Sequence, residues 1–172
     1  TASHTGDSVN EKRTLLKKYY GSNLKALDDN WAFPWKDTRL VSKINDALQH
    51  NRPFVIGTIG SSVIAGHDNC QYDSFQNQLE RFLKPVFEAF GIGFEVRNAG
   101  EGGGCGDTYQ NQIWCVRHMV GDDVDMIVYS WTYFEAGDRE VSKWHEMFTR
   151  WVLLMERSPI PIILSMNGCN DH

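Results

Sequence analysis

Short apolar segments alternate with amphipathic segments from residue 53 onward, and this alternation constrains the fold more than any other feature. The apolar segments are predicted to be buried strands at 54–59, 94–97, 125–130 and 160–166. The segments between them have helical spacing and cover 73–91, 107–119 and 138–155. Strands separated by helices form βαβ units with a parallel sheet. We therefore predict an α/β fold, a three-layer α/β/α sandwich with a flavodoxin-like sheet, spanning 53–172.

Residues 1–52 are predicted to form a polar tail and a helical extension ahead of this domain. A helical pattern runs from Val9 to about Asn30, and Asp37 or Thr38 can cap a second helix that ends near His50. The aromatic residues of this extension include Tyr19, Tyr20, Trp31 and Trp35. These side chains either cover the core of the domain or form a surface for protein partners.

Composition restricts the classes of function. The chain has 172 residues and a formal net charge of −5, and its basic residues are scattered. We predict no nucleic-acid partner and, since no apolar run is long enough, no membrane span. The chain begins at Thr1 without a signal peptide, which we interpret as processing or as a fragment of a longer protein. Four cysteines slightly favour secretion or an organelle lumen.

Three turns follow predicted strands and should meet at one edge of the sheet. They are Gly60-Ser61-Ser62, 98–104 and 131–135. A parallel sheet places the carboxyl ends of its strands at the same edge, where ligands of α/β proteins bind. A serine exposed by such a turn can act as a nucleophile, and nearby backbone N–H groups can bind an oxyanion.

The order and spacing of these turns resemble the SGNH (GDSL-type) hydrolase family. Gly60, Ser61, Ser62 and Gly66 correspond to the first block, and Asn98, Gly100 and Gly103 to the second. The resemblance implies that Ser62 is the nucleophile and that Gly103 contributes to the oxyanion hole. It also implies that Ser61, Asn98, Gly100 and Phe134 line the substrate site. The implied activity is that of a serine esterase or acetylesterase acting on a small-molecule or glycan ester.

The chain departs from the family pattern in its first block and in its last two blocks. Thr132 and Phe134 stand where the third block has glycine and the oxyanion-hole asparagine, and aspartate is replaced by serine at Ser61. The terminal pair Asp171-His172 lacks the Asp-x-x-His spacing, so we do not assign it as the acid and base of a triad. An alternative interpretation is therefore a catalytically inactive SGNH-like domain that serves as a binding or structural subunit.

Several other residues are weaker candidates. We expect His67 to point away from Ser62, and Glu101 and Glu135 to be solvated loop carboxylates. Cys115 and His118 have the spacing of zinc ligands, but no second pair accompanies them, so we predict no metal and no cofactor. A disulfide between Cys105 and Cys115 ranks above zinc binding.

Overall fold

The structure, a computed structural model, describes residues 38–67, 72–101, 108–131, 134–135 and 140–164. Strands and helices alternate along these ranges as the sequence predicts. The elements are α1 (Thr38–Gln49), β1 (Phe54–Gly60), α2 (Ser62–Ala65), α3 (Phe75–Ala89), β2 (Phe94–Gly100), α4 (Tyr109–Val120), β3 (Met126–Ser130), α5 (Val141–Leu153) and β4 (Ile160–Ile163). None of the helices in these ranges has both the length and the apolar character needed to cross a membrane.

The four strands form one parallel sheet in the order β2-β1-β3-β4. Gly60, the last residue of β1, lies opposite Gly100 of β2 and Ser130 of β3. The carboxyl ends of three neighbouring strands are therefore level with one another. The chain moves outward in opposite directions from β1 and β3, and the crevice at such a reversal is where α/β sheets bind ligands.

Two apolar cores cover the two faces of the sheet. One packs α4 and α5 against it, with Val55, Ile59, Ile113, Val116, Ile127, Tyr129, Phe148 and Val152 among its buried residues. The other packs α1 and α3 on the opposite face, with Ala47, Phe54, Ile56, Phe94 and Val128 buried and Leu79, Leu83 and Phe87 against them. This arrangement confirms the predicted α/β fold with helices on both faces of a parallel sheet.

Pro85 in the sequence predicts a kink or a break near residues 81–84. No break occurs there, because α3 continues through Pro85 from Phe75 to Ala89. Proline removes one main-chain hydrogen bond and is unfavourable inside a helix. Here Leu83 and Phe87, on either side of Pro85, pack against the core. Tertiary packing of the apolar face therefore sustains a helix that local preference would interrupt.

Element ends differ from prediction by a few residues. The sequence offers Asp73 or Ser74 as the start of α3, and Ser74 is the cap, since its Oγ accepts a hydrogen bond from the Asn77 N–H. It offers Asp107 as the cap of α4, whereas Thr108 is the cap in the structure. Strand β2 extends to Gly100 rather than ending near residue 97, because pairing with β1 continues to the sheet edge.

The amino-terminal edge of the sheet is joined by a buried ion pair. The Asp125 side chain is fully buried, and both of its oxygens accept 2.8 Å hydrogen bonds from Arg52. One oxygen also accepts the Val55 N–H at 3.0 Å. Arg52 also pairs with Asp46 of α1, and this hydrogen bond lowers the pKa of the Asp46 carboxyl. These contacts link α1, β1 and the start of β3 on the side opposite the predicted functional turns.

Candidate functional site

The first turn brings Ser62 directly to the carboxyl end of β1. Ser61 caps the short helix α2, and its carbonyl accepts the Ala65 N–H at 3.0 Å. Ser62 is the first residue of that helix and is half-buried. The helix ends at Gly66, whose φ of 84° is left-handed and favours glycine. The structure therefore places Ser62 at the edge that the sequence predicted, whereas Ser61 is buried.

Two glycines let α2 lie directly on the sheet edge. A Cβ added to Gly60 would lie 2.9 Å from the Cβ of Ile64 in α2 and 2.7 Å from the Ser130 carbonyl oxygen. One added to Gly100 would lie 2.7 Å from the Ile64 carbonyl carbon and closer still to the Ala65 nitrogen. Real Cβ atoms do not approach this closely, so the absence of a side chain at Gly60 and Gly100 sets the position of the helix that carries Ser62.

Asn98 ties this helix to β2. Its Nδ2 donates to the Ile64 carbonyl at 3.2 Å, and its Oδ1 accepts the Gly100 N–H at 2.8 Å. The sequence predicted Asn98 and Gly100 as substrate-binding residues. In the structure both contact α2 or its supporting turn, which gives them a direct structural role beside Ser62. The amide of Asn98 is thus engaged with backbone groups of this chain.

Replacing Gly100 with alanine is expected to lower the free energy of unfolding by about 1–3 kcal/mol, the usual effect of overpacking. The new Cβ would meet backbone atoms of Ile64 and Ala65, which cannot rotate away. Urea denaturation at constant m-value measures the loss. Gly93→Ala is the matched control at the other end of β2, because its Cβ would meet only the Pro53 ring, at 3.2 Å. Equal stability of the two variants would contradict the close contact at Gly100.

The third turn presents an exposed aromatic side chain. The Phe134 ring is 52% exposed and lies edge-to-face with Trp131 at a centroid distance of 5.6 Å. The Phe134 N–H donates to the Trp131 carbonyl at 2.8 Å, which closes a tight turn after β3. Trp131 itself is buried and also contacts Tyr109 of α4. Phe134 therefore lies on the surface after the carboxyl end of β3, as the order of turns predicted.

Glu135 is not the solvated loop carboxylate that the sequence suggested. Its side chain is only 3% exposed and bonds to two groups. The Tyr129 hydroxyl donates to Oε1, and Nε2 of His145 lies 2.9 Å from Oε2. A carboxylate can be buried where hydrogen-bond donors replace its water. Tyr129 and His145 lie on β3 and α5, and no spacing in the sequence indicates that they meet Glu135.

Several other candidate residues lie outside the part of the chain that the structure describes. Gly103, Cys105, Asp171 and His172 lie outside the described residues, as do the aromatic residues of the predicted N-terminal extension. Glu101 is half-buried, and its N–H donates to the Gly60 carbonyl at 3.0 Å.

Cys115 and His118 are both exposed on α4, and Cys115 is a free thiol. Its predicted partner Cys105 lies outside the described residues, and no disulfide is found within them. Cys115 lies on the solvent side of the helix, while Val116, next in the chain, faces the core. No group of three or more candidate metal ligands occurs in the described part of the chain.

Comparison with known proteins gives a match in fold alone. No protein-family profile matches the chain, and no curated protein matches its sequence significantly. The structure is similar to a two-domain esterase (CEX) active on acetylated mannans, with a TM-score of 0.62 and 17% sequence identity, over 74% of this chain and 33% of that one. The same esterase crystallised with mannopentaose gives the same score and identity, over 74% of this chain and 34% of the other. The chain thus spans about a third of the esterase's length and has a distantly esterase-like α/β fold.

Proposed function

We propose that the chain carries a serine ester hydrolase site of the SGNH type, with Ser62 as nucleophile. The observation that carries the proposal is the position of Ser62, half-buried and directly after the central strand β1, at the crevice between β1 and β3. The fold shared with an esterase supports the same reaction class. Because that esterase acts on acetylated mannans, we propose an acetyl ester of a carbohydrate as the substrate class.

The chemistry begins with attack of the Ser62 Oγ on the ester carbonyl. The tetrahedral intermediate carries its negative charge on the carbonyl oxygen, which needs N–H donors. The first N–H groups of a helix have no intrahelical acceptor, so those at the start of α2 are suited to this role together with Gly103. The alcohol then leaves, and water hydrolyses the acyl-serine to release the acid. Asn98 and Gly100 support the turn, and Phe134 borders the substrate.

The attack also needs a base that accepts the Ser62 proton. Within the described residues no histidine hydrogen-bonds to Ser62: the Nε2 of His145 contacts Glu135, and His67 is exposed beyond the turn at Gly66. We therefore propose that the base lies outside the described residues. This leaves the nucleophile testable by itself, because organophosphorus probes label an activated serine directly.

The test is labelling of the protein with a fluorophosphonate probe, followed by peptide mapping. We expect one adduct, on Ser62, that is absent from Ser62→Ala. Ser61→Ala is the matched control, because Ser61 is the adjacent buried hydroxyl and its side chain makes no cap hydrogen bond. A protein that takes up no label, or that is labelled equally in Ser62→Ala, would overturn the proposal.

A catalytically inactive SGNH-like domain that binds a ligand or serves as a structural subunit is the second candidate. It is favoured by Phe134, which presents a half-exposed ring beside Trp131 where the family has a polar oxyanion donor. An exposed aromatic ring of this kind suits binding of the apolar face of a sugar ring or of another apolar surface. Titration with an acetylated mannan oligosaccharide distinguishes the two, since binding without turnover or labelling supports the inactive domain.

A further inference from the structure

A buried glutamine on α4 connects all three turns of the candidate site. Gln112 is 1% exposed, and its Nε2 donates to the Gly60 carbonyl at 3.1 Å and to the Ala99 carbonyl at 3.2 Å. Its Oε1 accepts the Trp131 indole N–H at 2.7 Å. The amide orientation is fixed by this network, because an indole N–H can only donate. Each polar atom of the side chain therefore has a partner.

The partners of Gln112 belong to three different strand ends. Gly60 is the last residue of β1, two residues before Ser62, and Ala99 is the last but one residue of β2. Trp131 directly follows β3 and contacts Phe134. These segments are adjacent in the sheet order β2-β1-β3. One side chain thus joins the backbone before the candidate nucleophile to the aromatic side chain of the third turn.

Packing alone does not account for a glutamine at this position. The neighbouring core positions of α4, Ile113, Val116 and Val120, are apolar and fully buried. A buried amide is unfavourable unless its donors and acceptor are all bonded. The hydrogen bonds to Gly60, Ala99 and Trp131 satisfy that requirement and also restrain where the turns lie relative to one another.

We propose that Gln112 is a positioning residue of the sheet-edge site. It acts through Gly60 and Trp131, and holds the Ser62 turn and the Phe134 turn in one fixed arrangement. The proposal rests on the proposed ester hydrolase function. Positional errors of about 1 Å at a catalytic group lower rates by roughly 10²-fold. We therefore expect loss of Gln112 to affect turnover more than substrate affinity.

The test is Gln112→Met in the full chain, which keeps the side-chain length and removes the amide. With p-nitrophenyl acetate we expect kcat to fall by about 10- to 100-fold and KM to change by less than about threefold. The rate of fluorophosphonate labelling of Ser62 should fall in parallel. Gln76→Met is the control for loss of a buried amide, because Gln76 is an equally buried glutamine on α3 whose Nε2 bonds to Thr58 and which makes no hydrogen bond to the described residues of the three turns; its Oε1 has no partner there.

Hydrogen exchange gives a readout that does not depend on esterase activity. We expect faster amide exchange in peptides covering 60–67 and 131–135 of Gln112→Met, and unchanged exchange in these peptides of Gln76→Met. If Gln112→Met does not fold, Gln112→Leu replaces it, since this smaller apolar side chain also removes the amide and does not overfill the site. We expect the same fall in kcat from that variant.

The outcomes separate the two proposals. An active wild type whose kcat, labelling rate and exchange are unchanged in the Gln112 variants would overturn the positioning role and leave the hydrolase intact. A wild type without labelling or turnover would overturn the hydrolase proposal, and with it the role of Gln112 in that site. A fall in kcat equal to that of Gln76→Met would assign the effect to lost core stability and overturn positioning.

Discussion

Replacing Ser62 with alanine is expected to lower kcat for p-nitrophenyl acetate by about 10⁴-fold or more, as loss of the nucleophile does in serine hydrolases. In the proposed mechanism Ser62 supplies the oxygen that forms the acyl intermediate, and water attacking from solution lacks its fixed position. Substrate binding should change little, because the alanine keeps the Cβ and the helix α2 that surrounds it. Steady-state kinetics, corrected for spontaneous ester hydrolysis, measure the effect.

The control for this prediction is Ser61→Ala. Ser61 is 4% exposed, and its side chain makes no cap hydrogen bond to α2. We expect kcat to remain within about threefold of wild type, since the change removes a hydroxyl that is not the nucleophile. A larger loss of kcat in Ser61→Ala than in Ser62→Ala would contradict the assignment of Ser62 as the nucleophile. Equal activity in all three proteins would place any esterase activity elsewhere in the chain.

Replacing Asp125 with alanine is expected to lower the free energy of unfolding by about 3–5 kcal/mol. Its side chain is fully buried, accepts two hydrogen bonds from Arg52 and also accepts the Val55 N–H. Removing the carboxylate leaves Arg52, whose side chain is 14% exposed, without its most buried partner. Arg52 would keep only Asp46 as an acidic hydrogen-bond partner, and the Asp46 side chain is 47% exposed; the Val55 N–H would lose its side-chain acceptor. Urea denaturation measures the change.

Asp122→Ala is the matched control for Asp125. Asp122 lies three residues earlier and pairs with Arg117, but both side chains are at least 40% exposed. Exposed ion pairs contribute at most about 1 kcal/mol because water and salt screen them. We therefore expect a small change in Asp122→Ala. A loss in Asp125→Ala no larger than that of the control would show that the buried pair contributes little to stability.

The predicted site could be placed at the sheet edge because its signals are local. The β-branched segment 54–59 and the glycines at 60 and 66 predicted where Ser62 lies, and the structure places it at the end of β1. Similar reasoning predicted Phe134 in the turn after β3. The contacts of Asn98 were not predictable, because its partner Ile64 lies 34 residues earlier in the chain.

Local sequence patterns did not predict which polar side chains are buried. Glu135 has the sequence context of a solvated loop residue, yet Tyr129 and His145 enclose it. Gln112 lies in a helical segment whose sequence does not distinguish it from a solvated polar residue, yet its side chain bonds to Gly60, 52 residues earlier. Whether a polar side chain is buried depends on partners that other elements supply, so its burial cannot be predicted from its own segment.

By itself, the sequence determined which segments are strands and helices, that the sheet is parallel, and which turns share one edge. Periodicity and glycine turns carry this information, because they reflect the environment of successive residues along a single element. Only the tertiary structure decided how those turns are held: Gly60 and Gly100 admit α2, Gln112 joins the three strand ends, and Glu135 is enclosed. These contacts form between segments distant in the chain, and their geometry arises only when the sheet and its helices pack together.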